Sequence, residues 1–152
     1  MGAGRSWLMG PSCPGGGENG GVRTPPPNAP CPCQSGRSYG TCCGPFLSGA
    51  AVPETPEELM RSRYTAFAVD DVDHLRATWH PGTVPEVLEP DPDTRWLGLT
   101  IVDAPLPAPD ARRGVVEFEA RHRSGAETET LHERSRFVRQ SGRWWYLDGV
   151  HS

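Results

Sequence analysis

The chain has 152 residues, enough for one ordinary domain with accessories and too few for two of full size. Apolar residues make up 36 %, Gly and Pro number 18 and 17, and the formal net charge is −4. All fifteen basic residues are Arg, and acids outnumber them beyond residue 50, so the basic footprint of a nucleic-acid binder is missing; no apolar run approaches the length of a membrane span.

Residues 1–30 carry Gly15-Gly16-Gly17, Gly20-Gly21 and Pro25-Pro26-Pro27 with almost nothing to bury, and are expected to form a disordered extension. A start assigned too far upstream explains the same composition, with Met9 or Val22 as the true beginning. Cys13 sits in this stretch as a lone thiol. Trp7-Leu8-Met9 is too short for the apolar region of a secretory leader. A cytoplasmic location is therefore expected, and there clustered cysteines favour metal over disulfide.

The cluster comes next: Cys31-Pro32-Cys33, eight residues, then Cys42-Cys43. Tetrahedral zinc takes four soft ligands at about 2.3 Å, and two short arms of two thiolates supply them. Disulfides between adjacent or nearly adjacent cysteines are strained. Two other chemistries fit less well: a redox dithiol has two residues between its cysteines, and iron–sulfur ligands are spread more widely. Four thiolates leave no open position, so the predicted role of the zinc is structural. Ser35–Thr41 is expected to make one helical turn after a Ser35 cap, with Arg37 offsetting thiolate charge.

Gly44-Pro45 reads as a stop for any local helix, and 48–53 as a loop. Thr55-Pro56-Glu57-Glu58 then combines a cap, a first-turn proline and a capping-box acid. Met60, Tyr64 and Phe67 follow at i, i+4, i+7 as a buried stripe. Asp70-Asp71 breaks the helix and caps a second, whose face carries Val72, Leu75 and Trp79 until His80-Pro81-Gly82 ends it. Trp96–Val102 is nearly continuous apolar sequence, with Leu97, Leu99 and Ile101 on one face, as in a strand covered on both sides. After a Pro-rich loop at 105–109, Val115–His122, Thr128–Arg139 and Arg143–Leu147 form a meander turned at Ser124-Gly125 and Ser141-Gly142. The layout is α+β, one sheet curled around a helix.

Cys31-Pro-Cys-Gln-Ser-Gly-Arg-Ser-Tyr-Gly-Thr-Cys-Cys43 resembles the SEC-C zinc motif, and the remainder resembles the bacterial YchJ family of uncharacterised function. The segments that carry the second resemblance are Leu59–Tyr64, Thr78–Pro81, Trp96–Thr100, Glu133–Phe137 and Trp144–Gly149. The resemblance spans about 31–149 and implies, after the extension 1–30, a zinc motif over 31–47 and a cystatin-like, nuclear-transport-factor-2-like cone over 54–152. Gln34 stands where that motif usually has Gly, a change expected to be harmless if the backbone there is ordinary. Some relatives carry a second SEC-C motif, which this sequence lacks, so functions that need two zinc knuckles are not expected of it.

Cones of this type often hold a ligand at the open end. Leu131 and Phe137 mark one strand face, and a period of two adds Glu133 and Ser135; His122 shares a face with Val116, Phe118 and Ala120. Arg63, Tyr64 and His80 come from the helices, giving Arg63, Tyr64, His80, Glu133 and Ser135 as the candidate pocket residues. A Glu–Arg pair of this kind also occurs as a packing device with no catalytic part. No catalytic spacing or phosphate loop is visible. The reading is a structural-zinc binding module for a protein partner or a small ligand, with neither nucleic acid nor membrane expected as a partner. The alternative is a small enzyme with acid/base groups Glu133, Arg63 and His80.

Overall fold

Gly44-Pro45, expected to stop a helix, starts one. The computed structural model describes residues 22–151, and in it α1 runs Gly44–Ser48 with Pro45 in the first positions. There a missing N–H removes no helical bond. The cysteine motif before it forms a tight loop closed by a single 3-10 turn, Tyr39–Thr41.

Helix α2, Pro56–Val69, begins as its sequence predicts. Thr55 Oγ1 accepts from the Glu58 N–H at 3.1 Å, and the Glu58 carboxylate takes the Glu54 N–H at 2.8 Å. Asp70 ends the helix in the left-handed region (φ 65°), and Asp71 caps α3, Val72–Ala77, through the His74 N–H. Helix α3 stops before Trp79. The chain there is instead tied to the sheet by His80 N–H to Tyr146 O at 2.8 Å and Tyr146 N–H to Thr78 O at 2.9 Å. Trp79 packs edge-on to Tyr146, 5.0 Å between centroids.

Strands β1 (Thr94–Asp103), β2 (Arg113–Ser124), β3 (Glu127–Gln140) and β4 (Arg143–His151) form one antiparallel meander in sequence order. The last hairpin turns through Ser141 and Gly142, both at positive φ, as a two-residue turn of the strands' own twist requires. Helix α2 packs on the inner face, where Leu59, Tyr64, Val116, Phe118, Phe137 and Trp144 are buried together with all four described cysteines.

Of three register shifts in the sheet, one of them at Val102, two decide which side chains face inward. Between Trp96 and Gly98 the register of β1 shifts, leaving Leu97 without a partner on β2. Such a bulge reverses the alternation. Trp96 and Leu99 thus both pack on the core while Leu97 and Val102 are exposed, so β1 is covered on one face and not on two. In β4 the pairing moves from Phe137–Tyr146 to Arg136–Asp148, skipping Leu147. Beyond it Gly149 and His151 pair with Ser135 and Glu133.

The expected disorder of 1–30 does not extend through its last nine residues. Arg23 N–H bonds Val69 O at 2.9 Å and its guanidinium pairs with Asp70, while Pro27 and Ala29 carbonyls accept from Gly40 and Tyr39. The proline-rich strip can settle there because its carbonyls find donors in the cysteine loop. Residues 1–21, with Cys13 and the question of the true start, lie outside the described residues. No helix among the described residues is long and apolar enough to cross a membrane.

Candidate functional site

The sulfurs of Cys31, Cys33, Cys42 and Cys43 lie within 4.8 Å of one another, and all four residues are buried. A Cys31 carbonyl to Gln34 N–H bond (3.0 Å) turns the first arm, and the Tyr39–Thr41 turn brings the second arm round to it. Cys33 and Cys42 sulfurs are 3.6 Å apart, those of Cys42 and Cys43 4.0 Å. A regular tetrahedron of thiolates at the zinc bond length has edges of about 3.8 Å. The donor set and the spacing therefore fit a four-coordinate thiophilic dication.

The surroundings supply donors to the sulfurs. Ser35 Oγ is 3.1 Å from the Cys42 sulfur instead of capping a helix. Thr65, from α2, donates to the Cys43 sulfur at 3.3 Å. Arg61 reaches the Cys33 carbonyl (3.1 Å) and sulfur (3.7 Å) with one nitrogen while its Nε holds Glu57 at 3.0 Å. Arg37, expected to offset the thiolate charge, bonds the Thr41 carbonyl instead. Hydrogen bonds, first from Cys31 and then from Cys43, pull the Cys33 thiol strongly down. Cys42 is pushed up to about 11, burial first, and Cys43 is raised, first by its hydrogen bond with Cys31. A dication is what lets all four ionise.

Behind the cage the cone encloses a cavity of about 280 Å³. Its wall is aromatic and aliphatic, including Phe67, Trp79, Trp96, Phe118 and Leu131, with Arg63, Glu133, Ser135, Tyr146 and His151 as polar groups. Glu133, 7 % exposed, accepts from Ser135 Oγ at 2.7 Å, Tyr146 OH at 3.2 Å and His151 Nε2 at 2.8 Å. A side chain on Gly149 would collide with this carboxylate, so the glycine makes room for it. Burial, then the charge of Glu133, pushes the Tyr146 phenol up and keeps it a donor. Arg63 gives two bonds from Nη1, to Leu75 O (2.8 Å) and Thr78 Oγ1 (2.7 Å), and lies over the rings of Trp79 and Tyr146.

Of the candidate pocket residues, Arg63, Tyr64, Glu133 and Ser135 line this cavity and His80 does not. His80 accepts the Gly82 N–H on Nδ1 at 2.9 Å, which leaves the proton on Nε2 for Gln140 Oε1 at 2.7 Å. Tyr146 and His151 are the residues that sequence reasoning missed. Simple alternation from Tyr146 would turn Asp148 and Val150 inward; the skipped Leu147 brings Gly149 and His151 there. Gln34, read as harmless on an ordinary backbone, stands at φ 62°, where glycine is favoured, and its Nε2 donates to Leu97 O at 3.3 Å.

The family model described as "YchJ, middle NTF2-like domain" matches residues 55–149, and the SEC-C motif matches 28–45. A UPF0225 protein of Pectobacterium carotovorum is 50 % identical over 129 residues, covering 80 % of this chain and 83 % of its own. One from Streptomyces coelicolor is 48 % identical over 123 residues, covering 81 % and 96 %. Among solved structures, a SEC-C motif containing protein from Rhodopseudomonas palustris superposes with a TM-score of 0.71 at 35 % identity, covering 80 % of this chain and 98 % of its own. Another, from Psychrobacter arcticus, gives 0.69 at 27 % identity, covering 83 % and 84 %.

Proposed function

The chain belongs to the YchJ family, and on that premise we propose that it is a zinc-stapled module that binds a small molecule in its cone. Cys31, Cys33, Cys42 and Cys43 hold one structural Zn²⁺, and the cavity walled by Arg63, Tyr64, Glu133 and Ser135 receives the ligand. The observation that carries the reading is the closed cage of four sulfurs. A saturated ligand set offers no position for substrate or water, so the metal stabilises the fold and the cavity is the working part. Zinc is favoured over iron by the short two-arm spacing of the cysteines, and a cytoplasmic location would favour metal over disulfide by keeping their thiols reduced.

Native mass spectrometry of the purified protein tests both halves in one measurement. The expected mass is that of the chain plus one zinc ion, with any co-purified small molecule adding to it. Cys42→Ser should lose the metal and destabilise the head, because structural zinc binding is coupled to folding. Unchanged zinc content in that variant would overturn the four-cysteine assignment.

A small enzyme is the second reading, favoured by the hydrogen-bonded contact of Glu133 and His151 at the cavity wall. His80 has no part in it, since it lies outside the cavity. Under this reading Glu133→Gln abolishes turnover and leaves the zinc content unchanged.

A further inference from the structure

Arg63 is 3 % exposed and lines the cavity. All its hydrogen bonds leave from one nitrogen, Nη1, to the Leu75 carbonyl and the Thr78 hydroxyl. Among the described residues nothing accepts from Nε or Nη2, and no carboxylate is paired with the guanidinium. Its Cζ lies over the rings of Trp79 and Tyr146, 4.9 and 4.2 Å from their centroids. The nearby acid is already committed: Glu133 accepts three bonds, from Ser135, Tyr146 and His151. Neither Nε nor Nη2 is among the polar atoms sealed from solvent without a partner, so both stay reachable from the cavity, and burial, partly offset by Tyr146 and Glu133, pulls Arg63 down to about 10.

We infer that the cavity binds a small organic monocarboxylate with an apolar, planar body, its carboxylate taking the Nε and Nη2 edge of Arg63. This rests on the reading of the cone as a small-ligand site. A guanidinium edge and a carboxylate match as a two-bond fork. The size fits a single substituted ring. About 150 Å³ of apolar cavity already holds benzene, and this one has about 280 Å³. Phe67, Trp96 and Phe118 offer ring faces and edges to the body. A dianion such as a phosphate monoester is disfavoured, because the wall holds one permanent cation and the Glu133 carboxylate would repel the second charge.

The test uses the full-length, zinc-loaded protein with phenylacetate, its neutral isostere phenylacetamide, and phenethylammonium. Trp79 and Trp96 line the cavity, so tryptophan fluorescence reads occupancy, with amide NMR shifts as the second readout. The expected result is saturable binding of phenylacetate at least tenfold tighter than of phenylacetamide. This preference should fall at least tenfold in Arg63→Lys, whose fold and zinc content are checked alongside. The wild-type comparison needs no variant and stands even if Arg63→Lys misfolds. Equal binding of acid and amide, or preference for the ammonium probe, would overturn the carboxylate inference and leave the small-ligand reading standing. Saturation by none of the three probes would overturn the inference and count against the cavity as a ligand site altogether.

Discussion

Thr65, in the middle of α2, donates its hydroxyl to the Cys43 sulfur at 3.3 Å and sits 3.8 Å from the Cys31 sulfur. The helix that carries Arg63 and Tyr64 toward the cavity therefore also supplies hydrogen bonds to the thiol cage, from Thr65 and from Arg61 one turn earlier.

Removing these donors should loosen the proposed zinc without disturbing its ligands. Thr65→Val keeps the side-chain shape and deletes the hydroxyl; Arg61→Gln deletes the cation near Cys33. Outer partners of metal ligands are worth about 10–100-fold in affinity. Each variant should lose zinc to a chromophoric chelator at about tenfold lower chelator concentration. Wild-type behaviour in both would mean that α2 does not support the site.

Gly149→Ala should destabilise the protein by about 1–3 kcal/mol, the usual cost of overpacking, because the new methyl would collide with the Glu133 carboxylate. Shortening the acid should relieve it. In a double-mutant cycle with Glu133→Ala, the second change should cost less in the Gly149→Ala background than in wild type. Additive denaturation midpoints would contradict the contact.

Acid should weaken the fold through His74. Burial, then the charges of Arg63 and Arg143, pulls its pKa down to about 4. Ser62 donates to Leu59 O at 2.8 Å, so His74 Nε2 donates to Ser62 Oγ at 2.9 Å, while burial and the two Arg charges oppose a second proton on the ring. The unfolded chain titrates this residue near 6.5 and so binds the proton first. Stability from this group is complete above about pH 6.5. It falls toward pH 4 by up to about 1.4 kcal/mol per pH unit and levels off below. His74→Gln should flatten this part of the pH profile in urea denaturation; an unchanged slope would assign it to other groups.

Position 34 can be read by paired substitutions. Gln34 carries a positive φ and offsets part of that strain with its bond to Leu97 O. Gln34→Ala keeps the strain and loses the bond, so it should lower stability, while Gln34→Gly should exceed Gln34→Ala by about 1 kcal/mol. Identical melting curves for the two would mean that the loop relaxes out of the left-handed region.

The parts of this molecule legible in its sequence are those fixed by local chemistry. The Thr55 cap, the Asp71 cap and the Ser141-Gly142 turn depend on a few adjacent residues, and they form where the sequence places them. Four cysteines on two short arms point to one cage because so few geometries bring them together. The rest depends on register. The skipped residues Leu97 and Leu147 each reverse the alternation of a strand, and nothing in the surrounding composition announces them. For that reason the sequence of β1 reads as a strand covered on both faces, and alternation does not place His151 beside Glu133. Charge compensation at the cage was sought in Arg37, near in sequence, and comes from Arg61, near in space. Gly44-Pro45 misled because proline stops a helix only beyond its first turn.

Cys31, Cys33, Cys42 and Cys43 belong to the same buried cluster as Leu59, Tyr64, Val116 and Phe137. The knuckle and the cone match separate family models, yet they share this interior. A fragment begun at residue 54 would present the underside of α2 and its neighbours on β1 to solvent, an apolar scar prone to self-association. For expression, grafting or directed evolution, the smallest usable piece therefore reaches back at least to Arg23, which ties the proline strip to Val69 and Asp70, and the cysteine loop travels with it as a wall of the same room.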